Sequence, residues 1–226
     1  MDQIKRFAVY YAPPPGDFAD HASAWLGRDA VSGAPCAQPD LGLPASAITT
    51  EPRRYGFHGT LKPPFRLAPG RTPQALGQAL ADLAGDLAPV SLPGLRLARI
   101  GGFLALVPEG DAAPLAALAA RVVAELDPFR APLTGSEIAR RRPERLSPRQ
   151  RELLDLWGYP FVMEEFRFHL TLTDRLEPAC ADRTETALDA FFAPVLPRPF
   201  QLRDLCLFGE GQDGLFRLLH RYTLSG

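Results

Sequence analysis

Apolar residues follow two different periods along this chain, and the two periods alternate. Segments with apolar stripes at helical spacing are predicted as helices: residues 17–26, a helix that opens at Thr72-Pro73, and residues 111–126, 147–157 and about 183–196. Short apolar runs bounded by proline or glycine are predicted as strands: residues 6–12, 55–62, 90–100, 103–107, 161–173, 200–208 and 215–224. Gly101-Gly102 and residues 209–214 are hairpin signals, while residues 33–52 show no clean period and are predicted as a long loop.

Two of the predicted strands carry nearly the same pentapeptide. The sequence Phe-His-Gly-Thr-Leu at residues 57–61 returns as Phe-His-Leu-Thr-Leu at residues 168–172, 111 positions further along. Side chains in a strand alternate between its two faces. One face of each copy therefore carries the polar groups: His58, Thr60 and Lys62 in the first, and His169, Thr171 and Thr173 in the second.

Each copy of the pentapeptide is followed by a predicted helix and then by a predicted hairpin. This order indicates an internal duplication, with one lobe over about residues 1–110 and the other over about residues 111–226 of a single bilobal domain. The predicted fold is α+β, built from two β-α-β-β lobes. Two antiparallel-rich sheets would face each other across a central cleft, with the helices outside. The repeated strands would lie centrally, so both His-Thr pairs would meet in the cleft.

Charge is balanced overall but uneven along the chain. The formal net charge is −1 for 226 residues, which gives no reason to expect non-specific binding to nucleic acid or membranes. Residues 51–71 hold five basic residues against one acidic, and residues 136–151 hold six arginines against two glutamates. Both excesses suit solvated loops or an anion site. Residues 140–151 could form a lid over an anionic ligand, although such a run is more often a solvated face.

Cysteine usage and hydropathy suggest a cytoplasmic protein. The three cysteines are widely spaced and form no CxxC pair, which argues against a disulfide framework and a structural zinc site. Residues 1–11 fit a short mixed strand rather than a signal peptide. No apolar run approaches the length of a membrane span, so no membrane partner is predicted.

The residue types in the repeated strands suit chemistry on a phosphodiester. Imidazole titrates near pH 6.5, so of two histidines one can act as general base while the other acts as general acid. One would activate water or a 2′-hydroxyl, and the other would protonate the leaving oxygen. Threonine hydroxyls can hold the non-bridging phosphate oxygens. The predicted catalytic residues are His58, Thr60, His169 and Thr171.

Four further residues are candidates for substrate contact. Lys62 and Thr173 extend the polar faces of the two strands, and Arg54 precedes the first. A solvated strand end for Lys62 and a solvated loop for Arg54 are the alternatives. Tyr10 or Tyr11 could stack on a base or sugar, but period 2 prevents both from facing the cleft.

The remaining chemistry-bearing residues give no second site. His21 and His220 have no matching partner and are interpreted as structural. A metal held by His58 and His169 is disfavoured because no third Asp, Glu or His lies at a ligand spacing. The chain has no Walker-type phosphate loop and no dinucleotide fingerprint. No metal and no cofactor is therefore predicted.

The paired motifs resemble those of the two-histidine (2H) phosphoesterase superfamily, which is defined by two His-x-Thr/Ser-x motifs in duplicated lobes. The resemblance covers essentially the whole chain and implies a metal-independent phosphodiesterase acting on cyclic or 2′-linked phosphates. Residues 10–15 (YYAPPP), 54–65 (RYGFHGTLKPPF) and 166–173 (FRFHLTLT) are similar to a narrower branch encoded alongside phosphonate-utilisation (carbon–phosphorus lyase) genes. That similarity implies a small phosphorylated substrate, such as a ribose cyclic phosphate.

Two other functions stay open. One is a phosphodiesterase or ligase acting on RNA ends such as tRNA fragments, which would be supported by a long basic groove. The local charge excesses are modest and favour a small substrate. The other is a non-catalytic module that binds a nucleotide or an RNA end. Two titratable groups argue against it, since binding alone requires donors but no proton transfer.

Overall fold

The computed structural model describes residues 4–226. Within these residues the chain forms nine strands and eight α-helices. The helices are α1 (Asp17–Leu26), α2 (Ala45–Ile48), α3 (Thr50–Tyr55), α4 (Pro73–Gly85), α5 (Ala113–Glu125), α6 (Gly135–Arg140), α7 (Pro148–Trp157) and α8 (Pro178–Phe192). The strands are β1 (Arg6–Tyr11), β2 (Gly59–Phe65), β3 (Val90–Leu92), β4 (Leu95–Ile100), β5 (Phe103–Pro108), β6 (Leu170–Thr171), β7 (Phe200–Leu202), β8 (Asp204–Glu210) and β9 (Phe216–Thr223).

Seven of the strands form one antiparallel sheet in the order β4-β5-β6-β2-β1-β8-β9. Strands β3 and β7 pair separately as a two-stranded sheet. The α+β class with antiparallel sheets is confirmed. The two predicted sheets are not separate. They are joined edge to edge by the pairing of β2 with β6 and form one continuous sheet. The repeated strands are central in this sheet.

The two faces of the large sheet have different surroundings. One face packs against helices α1, α4, α5 and α8 in a core that includes Trp25, Leu80, Leu118 and Leu188. Burial of each such large side chain contributes about 1.5–3 kcal/mol. The other face carries a smaller aromatic cluster around Tyr10, Phe208 and Phe216 and lines a cleft, described below.

Capping chemistry sets several helix starts where the sequence predicts them. Thr72 accepts a hydrogen bond from the Ala75 amide at 3.1 Å, and Pro73 is the first residue of α4. Ser147 caps α7 in the same way. The bounds of α1 match the prediction, whereas α8 begins at Pro178, earlier than the predicted residue 183.

Other predicted bounds are wrong. The predicted loop at residues 33–52 contains α2 and the start of α3, whose few residues are too short to show a period. Strand β2 begins at Gly59, not at residue 55, and continues through Pro63 and Pro64. Proline is tolerated there because β6 pairs with β2 only at Gly59. Strand β6 has two residues, since the chain before it forms the short 3-10 helix Met163–Glu165 and an irregular segment.

Both hairpins predicted at glycine turns are present, as β4–β5 and β8–β9. The strand predicted near the amino end runs over Arg6–Tyr11, and residues 1–3 of that prediction lie outside the described residues. Within residues 4–226, no helix has both the length and the apolar character needed to cross a membrane.

Candidate active site

The pairing of β2 with β6 brings the two copies of the repeated motif together. Gly59 lies opposite Leu170 in an antiparallel register. One residue further on each side, this register sets His58 across from Thr171 and Thr60 across from His169. Leu170 is packed in the core beneath the helices. The two histidines and two threonines therefore occupy the opposite face.

A cleft of about 560 Å³ lies over this face. That volume is within the range of small-molecule sites, about 300–1,000 Å³. The cleft is lined by Arg6, Tyr10, Glu51, Pro52, Arg54, Tyr55, His58, Thr60, Pro63, Pro64, Phe103, Leu133, Glu137, Arg140, Arg141, Tyr159, Thr171, Thr173, Asp174 and Arg175. His169 lies at its edge, where its ring centroid is 5.7 Å from that of Phe103.

Both histidines are oriented by the same local hydrogen bond. Nδ1 of His58 lies 2.8 Å from the carbonyl oxygen of Gly56, and Nδ1 of His169 lies 2.8 Å from that of Arg167. A carbonyl oxygen can only accept a hydrogen bond, so Nδ1 carries the proton in each ring. Nε2 is then the atom that accepts a proton in the neutral ring and donates one in the charged ring.

His58 is held as a neutral imidazole by its surroundings. Its ring lies against that of Tyr10, with centroids 3.9 Å apart and the planes tilted by 31°, and the centroid of the Tyr55 ring lies 5.9 Å away. The pKa of His58 is lowered to about 4, mainly by burial and to a smaller extent by the charge of His169. The hydrogen bond to the carbonyl oxygen of Gly56 raises the pKa but does not offset burial. At neutral pH its Nε2 is free to accept a proton.

The turn that presents His58 depends on a glycine and a buried arginine. Gly56 has φ +76°, and a Cβ atom there would lie 2.3 Å from the Cβ of Ala30. Arg28 is buried and donates to the carbonyl oxygen of Arg53 at 2.9 Å, at the end of α3. The chain before β2 is thereby fixed, and with it the position of the imidazole ring.

Three of the predicted contact residues lie in the cleft. Tyr10 lies under His58, while Tyr11 points into the core, as period 2 requires. Arg54 lines the cleft and donates from Nη2 to Glu210 at 2.9 Å. Thr173 is almost fully buried, and its hydroxyl accepts the amide hydrogen of Leu104 at 3.0 Å.

Lys62 is placed elsewhere, and the prediction that it shares the face of His58 is wrong. Tyr10 pairs with Thr60, but Val9 pairs with Lys62, so Leu61 is an extra residue in β2. This bulge turns Lys62 toward the helices. Its Nζ donates to the carbonyl oxygen of Val123 at 2.9 Å. Burial lowers the pKa of Lys62 to about 8.

Several residues that line the cleft lie outside the repeated motif, so the motif does not predict them. The segment between α5 and β6 contributes Arg140, Arg141 and Tyr159. The Arg141 guanidinium lies 4.7 Å from the centre of the Tyr159 ring. The excess of arginine in residues 136–151 suits either an anion site or a solvated face, and it does not show which members reach the cleft. Arg149, for example, pairs with Glu152 and Glu164 outside the cleft.

The other two histidines lie apart from the cleft lining. Nδ1 of His21 lies 2.8 Å from the carbonyl oxygen of Asp17 within α1. His220 packs against Tyr222 in β9. Across residues 4–226, no three or more His, Cys, Asp or Glu side chains are grouped so that they could hold a metal ion.

The fold and the site together define an α+β protein with a duplicated His-x-Thr pair in one cleft. The chain belongs to the family described as "Protein of unknown function (DUF1045)", whose model matches residues 60–217.

Two curated relatives match most of the chain. It is 38% identical over 222 residues to "Ribose 1,5-bisphosphate phosphokinase PhnN" of Janthinobacterium sp. (strain Marseille), covering 94% of this chain and 49% of the relative. It is 38% identical over 219 residues to the protein of the same name in Laribacter hongkongensis (strain HLHK9), covering 94% and 50%. The chain thus spans about half the length of these relatives.

Similar solved structures include one described as "Crystal structure of phosphoesterase", with a TM-score of 0.42 and 17% identity over 99% of this chain and 100% of that one. Another is E. coli LigT complexed with 3′-AMP, with a TM-score of 0.45 and 15% identity over the same shares.

Proposed function

We propose that this protein is a phosphodiesterase that hydrolyses a small cyclic phosphate by general acid–base catalysis, with no metal ion. The observation that carries the proposal is the junction of β2 and β6, where two histidines and two threonines meet on one face. Each histidine engages a backbone carbonyl through Nδ1 and keeps Nε2 for the substrate.

Hydrolysis then requires one proton transfer at each histidine. Nε2 of His58 takes a proton from water, and the water oxygen forms a bond to phosphorus. The bond between phosphorus and one ester oxygen breaks, and Nε2–H of His169 gives its proton to that oxygen. The product is a phosphomonoester with a free hydroxyl. The hydroxyls of Thr60 and Thr171 donate to the non-bridging oxygens as negative charge grows on them.

The curated relatives suggest the kind of sugar. They are named as phosphokinases of ribose 1,5-bisphosphate, and this chain corresponds to half of each. Its sequence contains no Walker-type loop for a nucleoside triphosphate. We therefore assign the phosphokinase activity of those relatives to their other half and a ribose cyclic phosphate to this half, within phosphonate metabolism. The free cysteines Cys36, Cys180 and Cys206 support a cytoplasmic location.

The pH dependence of kcat/KM is expected to reflect the low pKa of His58. With a pKa of about 4, His58 stays neutral as the pH falls below 6.5, where a free imidazole would be protonated. We expect kcat/KM to persist to about pH 5 and to fall as the pH passes through 4. A pH–rate profile, with circular dichroism recorded at each pH, measures this. An acid limb centred near pH 6.5 would contradict His58 as the base.

Chelation is expected to leave turnover unchanged. The assay is hydrolysis of ribose 1,2-cyclic phosphate, its 5-phosphorylated form, nucleoside 2′,3′-cyclic phosphates and a cyclised tRNA end, each with excess EDTA. A metal-dependent phosphodiesterase in the same buffer is the control that must lose activity. Loss of turnover in EDTA with recovery on adding a divalent ion would contradict the proposal. Preference for the tRNA end would favour the RNA-end function, and binding without turnover the binding module.

A further inference from the structure

The cleft holds more positive charge than a single phosphodiester requires. Five arginines line it: Arg6, Arg54, Arg140, Arg141 and Arg175. Of the three acidic residues in the lining, Glu137 pairs with Arg66 outside the lining, and the Asp174 carboxylate accepts the amide hydrogens of Thr50 and Glu51. These two carboxylates are therefore already engaged.

Two of the arginines are fixed by one buried carboxylate. Glu210 accepts hydrogen bonds from Nε and Nη2 of Arg6 and from Nη2 of Arg54, the two Nη2 bonds being 2.9 Å long. Two guanidinium groups on one carboxylate leave a net charge of about +1. Neither Nη1 atom has a hydrogen-bond partner within residues 4–226. We call Arg6, Glu210 and Arg54 the arginine cluster.

The arginine cluster lies on the His58 side of the cleft. The Arg54 guanidinium is 5.5 Å from the centre of the Tyr55 ring, whose centroid is 5.9 Å from that of His58. Arg141 lines the same cleft, where its guanidinium lies 4.7 Å from the centre of the Tyr159 ring. The Tyr55 ring therefore lies between His58 and the Arg54 guanidinium, and Glu210 holds Arg6 beside Arg54.

We propose that Arg6, Arg54 and Arg141 bind a second anionic group, a phosphomonoester on the same small sugar whose cyclic phosphodiester lies between His58 and His169. This inference rests on the proposed function and narrows its substrate class to a cyclic phosphate that carries a further phosphate. Guanidinium groups match phosphate oxygens in geometry and charge. Fixing Arg6 and Arg54 on Glu210 before binding reduces the entropy lost on binding.

The test compares ribose 1,2-cyclic phosphate with and without a 5-phosphate. For the wild type we expect higher kcat/KM on the phosphorylated compound. In Arg54→Gln the ratio of the two kcat/KM values should fall about tenfold to a hundredfold, as for the loss of hydrogen bonds to a charged group. The change should appear mainly in KM, since the contact persists from ground state to transition state. Arg141→Gln, which breaks no buried ion pair, should lower the ratio in the same direction.

Arg198→Gln is the matched control, because Arg198 holds Glu109 with two bonds of 2.7 Å and lines no part of the cleft. Its ratio should equal that of the wild type. A wild-type ratio near one, or equal losses on both compounds in Arg54→Gln and Arg141→Gln, would overturn the second site and leave the phosphodiesterase intact. So would an Arg54-dependent preference for a dinucleotide 2′,3′-cyclic phosphate, in which an internal RNA phosphate fills the site.

Absence of turnover on both compounds would count against the proposed function instead. Isothermal titration with the 5-phosphorylated compound then decides the second site separately. Weaker binding to Arg54→Gln than to the wild type and Arg198→Gln would support it, and equal or undetectable binding to all three would overturn it.

Discussion

Replacement of either His58 or His169 by alanine is expected to lower kcat/KM for a cyclic phosphate by about 10²–10⁴-fold. In the proposed mechanism each ring supplies one of the two proton transfers, and neither can perform both at once. The Nδ1 atoms of both rings bond only to carbonyl groups two residues away in the chain, so the fold should survive the loss of either ring. Steady-state kinetics and thermal melts of both variants measure the two effects. The double variant should lose little more than either single one, because the histidines act as a unit.

His21→Ala and His220→Ala are the matched controls for these variants. Both remove an imidazole outside the cleft lining, and both should keep wild-type kcat/KM. Normal turnover in His58→Ala or His169→Ala would sink the two-histidine mechanism. So would a loss in the His21 or His220 variant as large as the loss in the motif variants.

Gly59→Ala is expected to destabilise the protein and to impair catalysis together. A Cβ atom at residue 59 would lie 2.4 Å from Cε2 and Cζ of the Phe168 ring, which packs behind β2 in the core. Overpacking of this kind costs about 1–3 kcal/mol. Because residue 59 lies between His58 and Thr60, the shift also moves the proposed catalytic groups, and a displacement near 1 Å can cost about 10²-fold in rate. Denaturant unfolding and kinetics measure both.

Gly85→Ala provides the control for that substitution. Gly85 ends α4, and within residues 4–226 no heavy atom beyond its chain neighbours and its own helix backbone lies within 4 Å of an added Cβ atom. The free energy of unfolding of the Gly85→Ala variant should equal that of the wild type or exceed it by up to about 1 kcal/mol. The double variant Gly59→Ala/Phe168→Leu replaces the Phe168 ring with a shorter side chain and so removes the contact with the added methyl group. It should recover part of the lost activity. Wild-type stability and rate in Gly59→Ala would show that the tight contact does not position the motif.

Alternation along the strands was enough to predict which side chains of the repeated motif share a face. The period of 2 assigns His58 and Thr60 to one face and Leu61 to the other, and the repeat at His169 and Thr171 indicates that the two faces meet. These inferences need only local geometry. The duplication of lobes over about residues 1–110 and 111–226 remains a proposal, consistent with β2 and β6 lying side by side in the sheet.

The rest depends on contacts that a local pattern does not encode. The bulge at Leu61 follows from the pairing of β1 with β2 and reverses the side chain of Lys62. Arg141 and Tyr159 reach the cleft because the segment between α5 and β6 folds back over it, and no periodicity shows that path. The arginine cluster joins Arg6 in β1 to Glu210 in β8, a partnership set by sheet order alone.

A crystal structure of the protein with the vanadate ester of a ribose diol would test the two-histidine mechanism directly, because this ester is an analogue of the pentavalent transition state of phosphodiester hydrolysis. We expect vanadium between the two Nε2 atoms of His58 and His169, with vanadate oxygens within about 3 Å of both Nε2 atoms and of the hydroxyls of Thr60 and Thr171. Vanadate bound outside the cleft, or held by one histidine alone, would contradict it.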